Sequence, residues 1–523
     1  MILELLIAHS AGEHEVRFTD PLDVMLHEAP LVGTSFKLSA TLQDSMVLQR
    51  APASAIVWGF APAGTVVTTT FNGQKIASTA DSSTVWRAKL PPTAATGVPQ
   101  TLSFAASTGE TAALKDVLFG DVYICGGQSN MQFSLGDNVN ASAYREEANG
   151  YPDVRLFTVG QKTSSKAPLL DLVTIEQNWT RAANTTVSDG SKFNYFSAVC
   201  WFFGKNVHDQ VAKKEGVRVP IGLVSNNWGG TRVEQWTPPA TTMACGHASS
   251  GELYNAMIAP YAVGPMALRG FTWYQGESDL GGTPYLPDQN NNYTCTQSAM
   301  IEQWRSAFQV PDAFYAIVQL STWFADPHLL AELREQQLAS AAALGKGFAW
   351  GTNADYGAGG NIHPPYKQHV GARLANAAMN IVYGEVAVKW KSPTYATAQE
   401  APVGTVTVQL SDAEGGLVLK DAFNYHTGAG ADNCAAQNAK TPDSCAWANV
   451  QFNDVAGTWV NATVALDAAK TAIVLAAKPP AGATKAVATS YGWGSVPMMT
   501  VYKAHVDGNA DSQLPVLAWN KTL

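Results

Sequence analysis

Between Phe36 and Asp116 the apolar positions fall in short runs, among them Ala53 to Trp58, Thr65-Val-Val-Thr-Thr-Thr-Phe71 and Thr84-Val-Trp-Arg-Ala88, with turn residues between them. Short β-branched and aromatic runs punctuated in this way predict strands. Asn72-Gly73, set between two such runs, is a hairpin turn, because both residue types tolerate the positive φ that a two-residue turn demands. Residues 36–117 therefore read as a small β-sandwich, and residues 1–35, which show no clear period, as an N-terminal extension.

Beyond Leu118 the pattern changes. Apolar runs at Asp121–Cys125, Ile221–Ser225, Leu268–Tyr274, Phe314–Leu320 and Gly347–Trp350 predict strands. Phe196, Val199, Phe203 and Val207 recur at helical spacing between two of these strands, and Val370, Leu374, Ala377 and Ile381 do so after the last. Strands alternating with helices predict an α/β unit over 118–385, a parallel sheet with helices on both faces. From Val386 strand-type runs return, at Gly404–Leu410, Leu417–Lys420, Trp459–Ala465 and Ala472–Ala476, so residues 386–523 read as a C-terminal β-domain.

The length, 523 residues, exceeds what a single core usually supports and agrees with several units. A net charge of -9 without a long Lys/Arg run leaves nothing to attract a phosphate backbone, so nucleic acid is excluded as an expected partner. No stretch reaches the roughly 18–20 uninterrupted apolar residues of a membrane helix, and no membrane insertion is expected. Cys434 and Cys445 flank a short polar loop, and Cys245 and Cys295 lie in polar stretches, which suits disulfides; Cys125 and Cys200 lie in apolar runs and read as small buried hydrophobes. Sequons begin at Asn140, Asn178, Asn184, Asn292, Asn461 and Asn520, as a secreted or lysosomal protein would carry. The apolar run Ile2–Ala8, broken by Glu4 and without a basic flank, is a poor signal peptide.

Three strands run into small polar clusters: Gly126-Gly-Gln-Ser-Asn-Met131, Ser225-Asn-Asn-Trp-Gly-Gly-Thr231 and Gln275-Gly-Glu-Ser-Asp279. In an open parallel sheet the carboxyl ends of the strands bind ligands, so these clusters are expected in one cleft. Ser129 follows glycines and is the candidate nucleophile, although a serine here also suits a helix cap. Gly127-Gln-Ser-Asn-Met131 is not G-x-S-x-G, so the α/β-hydrolase elbow is absent. His363, in the loop Gly359-Gly-Asn-Ile-His-Pro-Pro, is the candidate general base, and His369 reads as a helix-surface residue.

Four blocks resemble the sialate O-acetylesterases and related carbohydrate esterases. Gly120-Asp-Val-Tyr-Ile-Cys-Gly-Gly-Gln-Ser-Asn-Met131 is similar to their nucleophile block G-D-V-W-x-C-S-G-Q-S-N-M. Asn227-Trp-Gly-Gly-Thr-Arg-Val-Glu-Gln-Trp236, Trp273-Tyr-Gln-Gly-Glu-Ser-Asp279 and Ile362-His-Pro-Pro-Tyr-Lys-Gln368 follow in the family's order, with weaker similarity at Leu48-Gln49-Arg50, Val57-Trp58-Gly59 and Tyr383-Gly384-Glu385. The resemblance implies an SGNH-hydrolase-like (flavodoxin-like) sheet, Ser129 as nucleophile, His363 as base, and an oxyanion hole made by the N–H groups of Ser129 and Gly230 with the Gln275 amide. Many relatives place an aspartate two or three residues before the histidine; here Asn361 and Gly360 stand there. Asp355 is the nearest acid able to orient His363, and a backbone carbonyl is the alternative.

The reading is a serine esterase that removes O-acetyl groups from sialic acids through an acyl-enzyme, needing neither metal nor organic cofactor. Glu277 is expected to shape the pocket or anchor its loop, and Arg232 to meet the sialic acid carboxylate. Trp228, Trp236, Trp273 and Trp323 offer faces for sugar, burial in the core being the alternative. Other acetylated glycans such as xylan are a second substrate class. A glycan-binding protein with a decayed site is a third reading.

Overall fold

The structure is a computed structural model, and it describes residues 35–249, 251–280, 292–323, 325–426, 445–504 and 510–523. The extension expected at the N-terminus and Cys434 lie outside them.

Near the start, Ile56–Phe60 pairs with Lys37–Leu38 and with Val85–Lys89 in one sheet, while Val66–Phe71 pairs with Gln74–Thr79 and Thr96–Ala106 in another. The Asn72-Gly73 turn forms as expected, with both φ positive (49° and 75°) and Phe71 opposite Gln74. Thr96–Ala106 in turn pairs with a long strand, β1 (Thr111–Gly127). That strand runs through the junction expected near 117/118, and its second half is the middle of the central sheet.

Six further strands complete that sheet: β2 (Val154–Val159), β3 (Ile175–Arg181), β4 (Ile221–Asn227), β5 (Gly270–Tyr274), β6 (Phe314–Gln319) and β7 (Phe348–Thr352). Their order is β3-β2-β4-β1-β5-β6-β7, parallel throughout except for β3 at the edge. Without the added β2–β3 hairpin the order of the five remaining strands is 2-1-3-4-5, the doubly wound arrangement whose ligand crevice opens between the first and third strands. Here those are β1 and β5.

Helices cover both faces. On one, α1 (Ala198–Glu215) sets Phe203 against Tyr123 of β1 and Phe314 of β6, with ring centroids 5.0 and 6.5 Å apart. On the other, α2 (Tyr293–Ala307) sets Trp304 against Phe271 and Tyr315, at 5.7 and 6.0 Å. Two more helices follow, α3 (Pro327–Leu344) and α4 (Lys367–Ile381). α4 lies on α1, and Gly371 is required there because a Cβ would come within 2.4 Å of Phe202 Cβ.

Cys125 of β1 and Cys200 of α1 form a disulfide, which corrects the expectation of two independent buried hydrophobes. Both are fully buried, but a central strand beneath a helix brings their Cα atoms to 5.9 Å, within bridging range. Cys245 and Cys295, both expected in disulfides, pair with each other.

The C-terminal part holds two four-stranded antiparallel sheets. One contains Thr405–Ser411 and Ala472–Ala476, the other Ala448–Phe452 and Ala486–Tyr491. Val406, Val408, Ile473 and Leu475 face Val450, Phe452, Tyr491 and Trp519 in a core of their own.

Candidate functional site

β1, β4 and β5 end level with one another: Gly127 is the register partner of both Asn227 and Tyr274. The three polar clusters therefore leave the sheet from one edge. Gly127 has φ 140°, and a Cβ there would lie 2.1 Å from the Tyr274 carbonyl oxygen, so only glycine lets β1 turn off against β5.

Hydrogen bonds then lock the clusters together. Gln128 Oε1 accepts from Gln275 Nε2 (3.1 Å), Gly276 N (3.3 Å) and Ser278 N (3.2 Å). Asn130, next to Ser129, donates through Nδ2 to Glu277 and, at 2.8 Å, to the carbonyl of Ile362, next to His363. Its Oδ1 accepts from Lys367 Nζ. One asparagine thus ties the residue after the candidate nucleophile to the residue before the candidate base.

Ser129 is 7% exposed, and among the described residues neither its hydroxyl nor its N–H has a hydrogen-bond partner. Gly229 lies against it: a Cβ on Gly229 would meet Ser129 Cβ at 3.2 Å, and its N–H donates to Gln132 Oε1 (2.9 Å). Gly230 follows with φ 75°, its N–H also unpaired among the described residues.

His363 stands in the loop between β7 and α4, its ring edge-on to Phe193 at 5.0 Å. Its Nε2 is buried and has no hydrogen-bond partner among the described residues. Burial, with Lys367 and Lys192 beside it, pushes the imidazolium down to about 3, so the ring is neutral at physiological pH. Lys367 is itself lowered to about 7 by burial, against the pull of Glu277. The Glu277 carboxyl is raised by burial, and the hydrogen bond from Asn130 and the charge of Lys367 offset this in part.

Three expectations change. Asp355 does not reach His363: both its oxygens are 2.7 Å from the Arg373 guanidinium, and Tyr502 donates to one of them at 3.2 Å. A fully buried carboxylate is held by the cation that compensates it. Gln275 does not present its amide to the cleft. It is fully buried, Nε2 donates to Gln128, to the Thr231 carbonyl (3.0 Å) and to Asp279, and Oε1 accepts from Tyr293 at 2.9 Å. It braces the loop that carries Gly230 and Thr231. Trp236 and Trp273 pack on each other in the core (5.7 Å), whereas Trp228 and Trp323 are half-exposed.

Glu277 is buried, grips Asn130 and so anchors its loop. Arg232 is half-buried, and among the described residues its guanidinium has no ion pair or hydrogen bond. Asn130 and Lys367 were not singled out by sequence reasoning, although both stand inside the blocks that carry the resemblance.

A sequence profile for carbohydrate esterases, described as sialic acid-specific acetylesterase, matches residues 119–380. The human sialate O-acetylesterase (Homo sapiens) is 32% identical over 412 residues, covering 69% of this chain and 74% of the relative. The chain belongs to this esterase family. The mouse sialate O-acetylesterase (Mus musculus) is 31% identical over 437 residues, 69% of this chain and 76% of its own. The structure of a carbohydrate acetylesterase from Xanthomonas citri superposes with a TM-score of 0.73 at 27% identity, covering 93% of this chain and 99% of that one. As a member of the sialic acid-specific acetylesterase family, the protein is a carboxylic ester hydrolase, and the four blocks, three of them joined through Gln128 and Asn130, lie within the matched span.

Proposed function

We propose that the protein hydrolyses O-acetyl esters of sialic acid through a Ser129–His363 dyad on an SGNH-type sheet. The observation that carries this reading is the Asn130 clamp, which ties the chain at Ser129 to the chain at His363 across 232 residues. His363, neutral because it is buried beside lysines, takes the hydroxyl proton as Ser129 attacks the acetyl carbonyl. The N–H groups of Ser129 and Gly230 receive the charge that develops on the carbonyl oxygen. His363 returns the proton to the departing sugar hydroxyl, and water then releases acetate from the acyl-enzyme by the same steps.

Sialate is favoured over neutral acetylated sugars by Arg232, a guanidinium unpaired among the described residues, two residues beyond Gly230 and suited to a carboxylate. Passage through the secretory pathway is supported by the disulfides Cys125–Cys200 and Cys245–Cys295, which persist in oxidising compartments. The test is acetate release from O-acetylated sialic acid and from acetylated xylan. Ser129→Ala is expected to lower the first by at least about 1000-fold. Arg232→Ala is expected to raise KM for the sialate about tenfold or more while sparing xylan; an equal effect on both removes Arg232 from substrate choice.

A further inference from the structure

On the C-terminal part, the strand Trp459–Asn461 runs on through Ala462 into Thr463–Leu466, passing from one sheet to the other. Its side chains alternate. Val460, Ala462 and Val464 pack on the core between the sheets, whereas Trp459, Asn461 and Thr463 all face solvent. The exposed three are the sequon Asn461-Ala-Thr463 and a tryptophan two residues before it. The Trp459 indole is 41% exposed, and among the described residues no aromatic ring or cation packs against it.

From these residues we infer that Asn461 is an N-glycosylation site whose first sugar packs on Trp459. In the transfer, Asn461 Nδ2 bonds to the anomeric carbon of N-acetylglucosamine on a lipid diphosphate oligosaccharide donor. The bond from that carbon to the diphosphate oxygen breaks, the lipid diphosphate leaves, and the amide gives up one proton. Residues i and i–2 of a strand share a face and stand about 6–7 Å apart, so a sugar on Asn461 that folds back along the strand meets the indole. An indole face covers the apolar C–H face of a pyranose and removes both from water.

The other sequons lack this device. The residues two before Asn140, Asn178, Asn184, Asn292 and Asn520 are Asn138, Glu176, Ala182, Asn290 and Ala518. Across the sheet, Asn461 faces the small polar Asn449, which leaves room above the strand.

The test uses the full chain behind a secretion leader in a eukaryotic host, so that secretory passage is supplied and does not depend on the native compartment. Four proteins are compared: wild type, Asn461→Gln, Trp459→Ala and the double variant. Peptide mass before and after enzymatic deglycosylation is expected to show a glycan at Asn461. Trp459→Ala is expected to lower the melting temperature by about 2 °C when Asn461 is glycosylated and by less than half of that in the Asn461→Gln background. An unmodified Asn461, or an equal effect of Trp459→Ala in both backgrounds, overturns the inference. So does weaker binding of a soluble acetylated glycan by Trp459→Ala with Asn461 unmodified, which assigns the indole to substrate instead.

Discussion

A histidine that serves as a general base must be unprotonated when substrate arrives, and burial and two neighbouring lysines fit His363 for the role proposed for it. Its proton affinity falls from the ordinary 6.5 to about 3, so hydrolysis is expected to persist to well below pH 6 and to fail only as the ring protonates. An acid limb in kcat/KM near 6.5 contradicts this. Lys367 sets part of the shift: replacing it by methionine removes a positive charge, favours the imidazolium and moves the acid limb to higher pH. A variant that lowers kcat without moving the limb shows that Lys367 acts only by packing. Asp355 supplies the opposite kind of prediction. Because it compensates Arg373, Asp355→Asn is expected to cost about 3–5 kcal/mol of stability, as loss of one partner of a buried pair does. The enzyme that remains folded should keep its pH profile; a loss of about 10⁴ in kcat at unchanged stability would return Asp355 to the base.

Individual elements divide sharply into those the sequence made legible and those it did not. β4, β6 and β7 are runs of apolar and β-branched residues closed by polar clusters, and they form within two residues of the expected bounds. The four blocks were legible because each lies at one strand end or in one loop, and the parallel register brings the strand ends level. What depends on distant partners was hidden. β2 contains Arg155, which reads as a break in the apolar run until Asp116 is found 2.7 Å away. Cys125 and Cys200 are 75 residues apart, and their pairing follows only from placing α1 over β1. Asp355 is near His363 in sequence, but the partner that fixes it is on α4. The direction of the Gln275 amide was likewise settled by Asp279 of its own block together with Thr231 and Tyr293, which lie outside it. The Cys125–Cys200 bridge begins four residues before Ser129, so Cys200→Ser is expected to lose about 2–4 kcal/mol on denaturant unfolding, together with Ser129 placement. An unchanged midpoint argues that the bridge adds nothing beyond packing.

Across the whole molecule, residues of the C-terminal part hold the loop that carries His363. Asn424 accepts from Gly357 N (2.8 Å) and donates to the carbonyls of Ala354 (2.8 Å) and Pro497 (2.9 Å). Arg334 of α3 is fully buried and binds the carbonyls of Leu320 and Ser321 on one side and Gly494 and Ser495 on the other. Arg373 adds a bond to Gln513. Removing residues 386–523 leaves the buried Arg334 with half its acceptors and takes the Gln513 carbonyl from Arg373, so the truncated chain is expected to be insoluble or inactive; a soluble truncation with full activity would separate the site from these contacts.

Ser129 is proposed as the group that His363 activates, and covalent labelling reads this directly. A fluorophosphonate should add its mass to the peptide containing Ser129 in wild type and fail to do so at comparable rate in His363→Gln. Labelling on another residue, or none in an enzyme that still releases acetate, would contradict the mechanism.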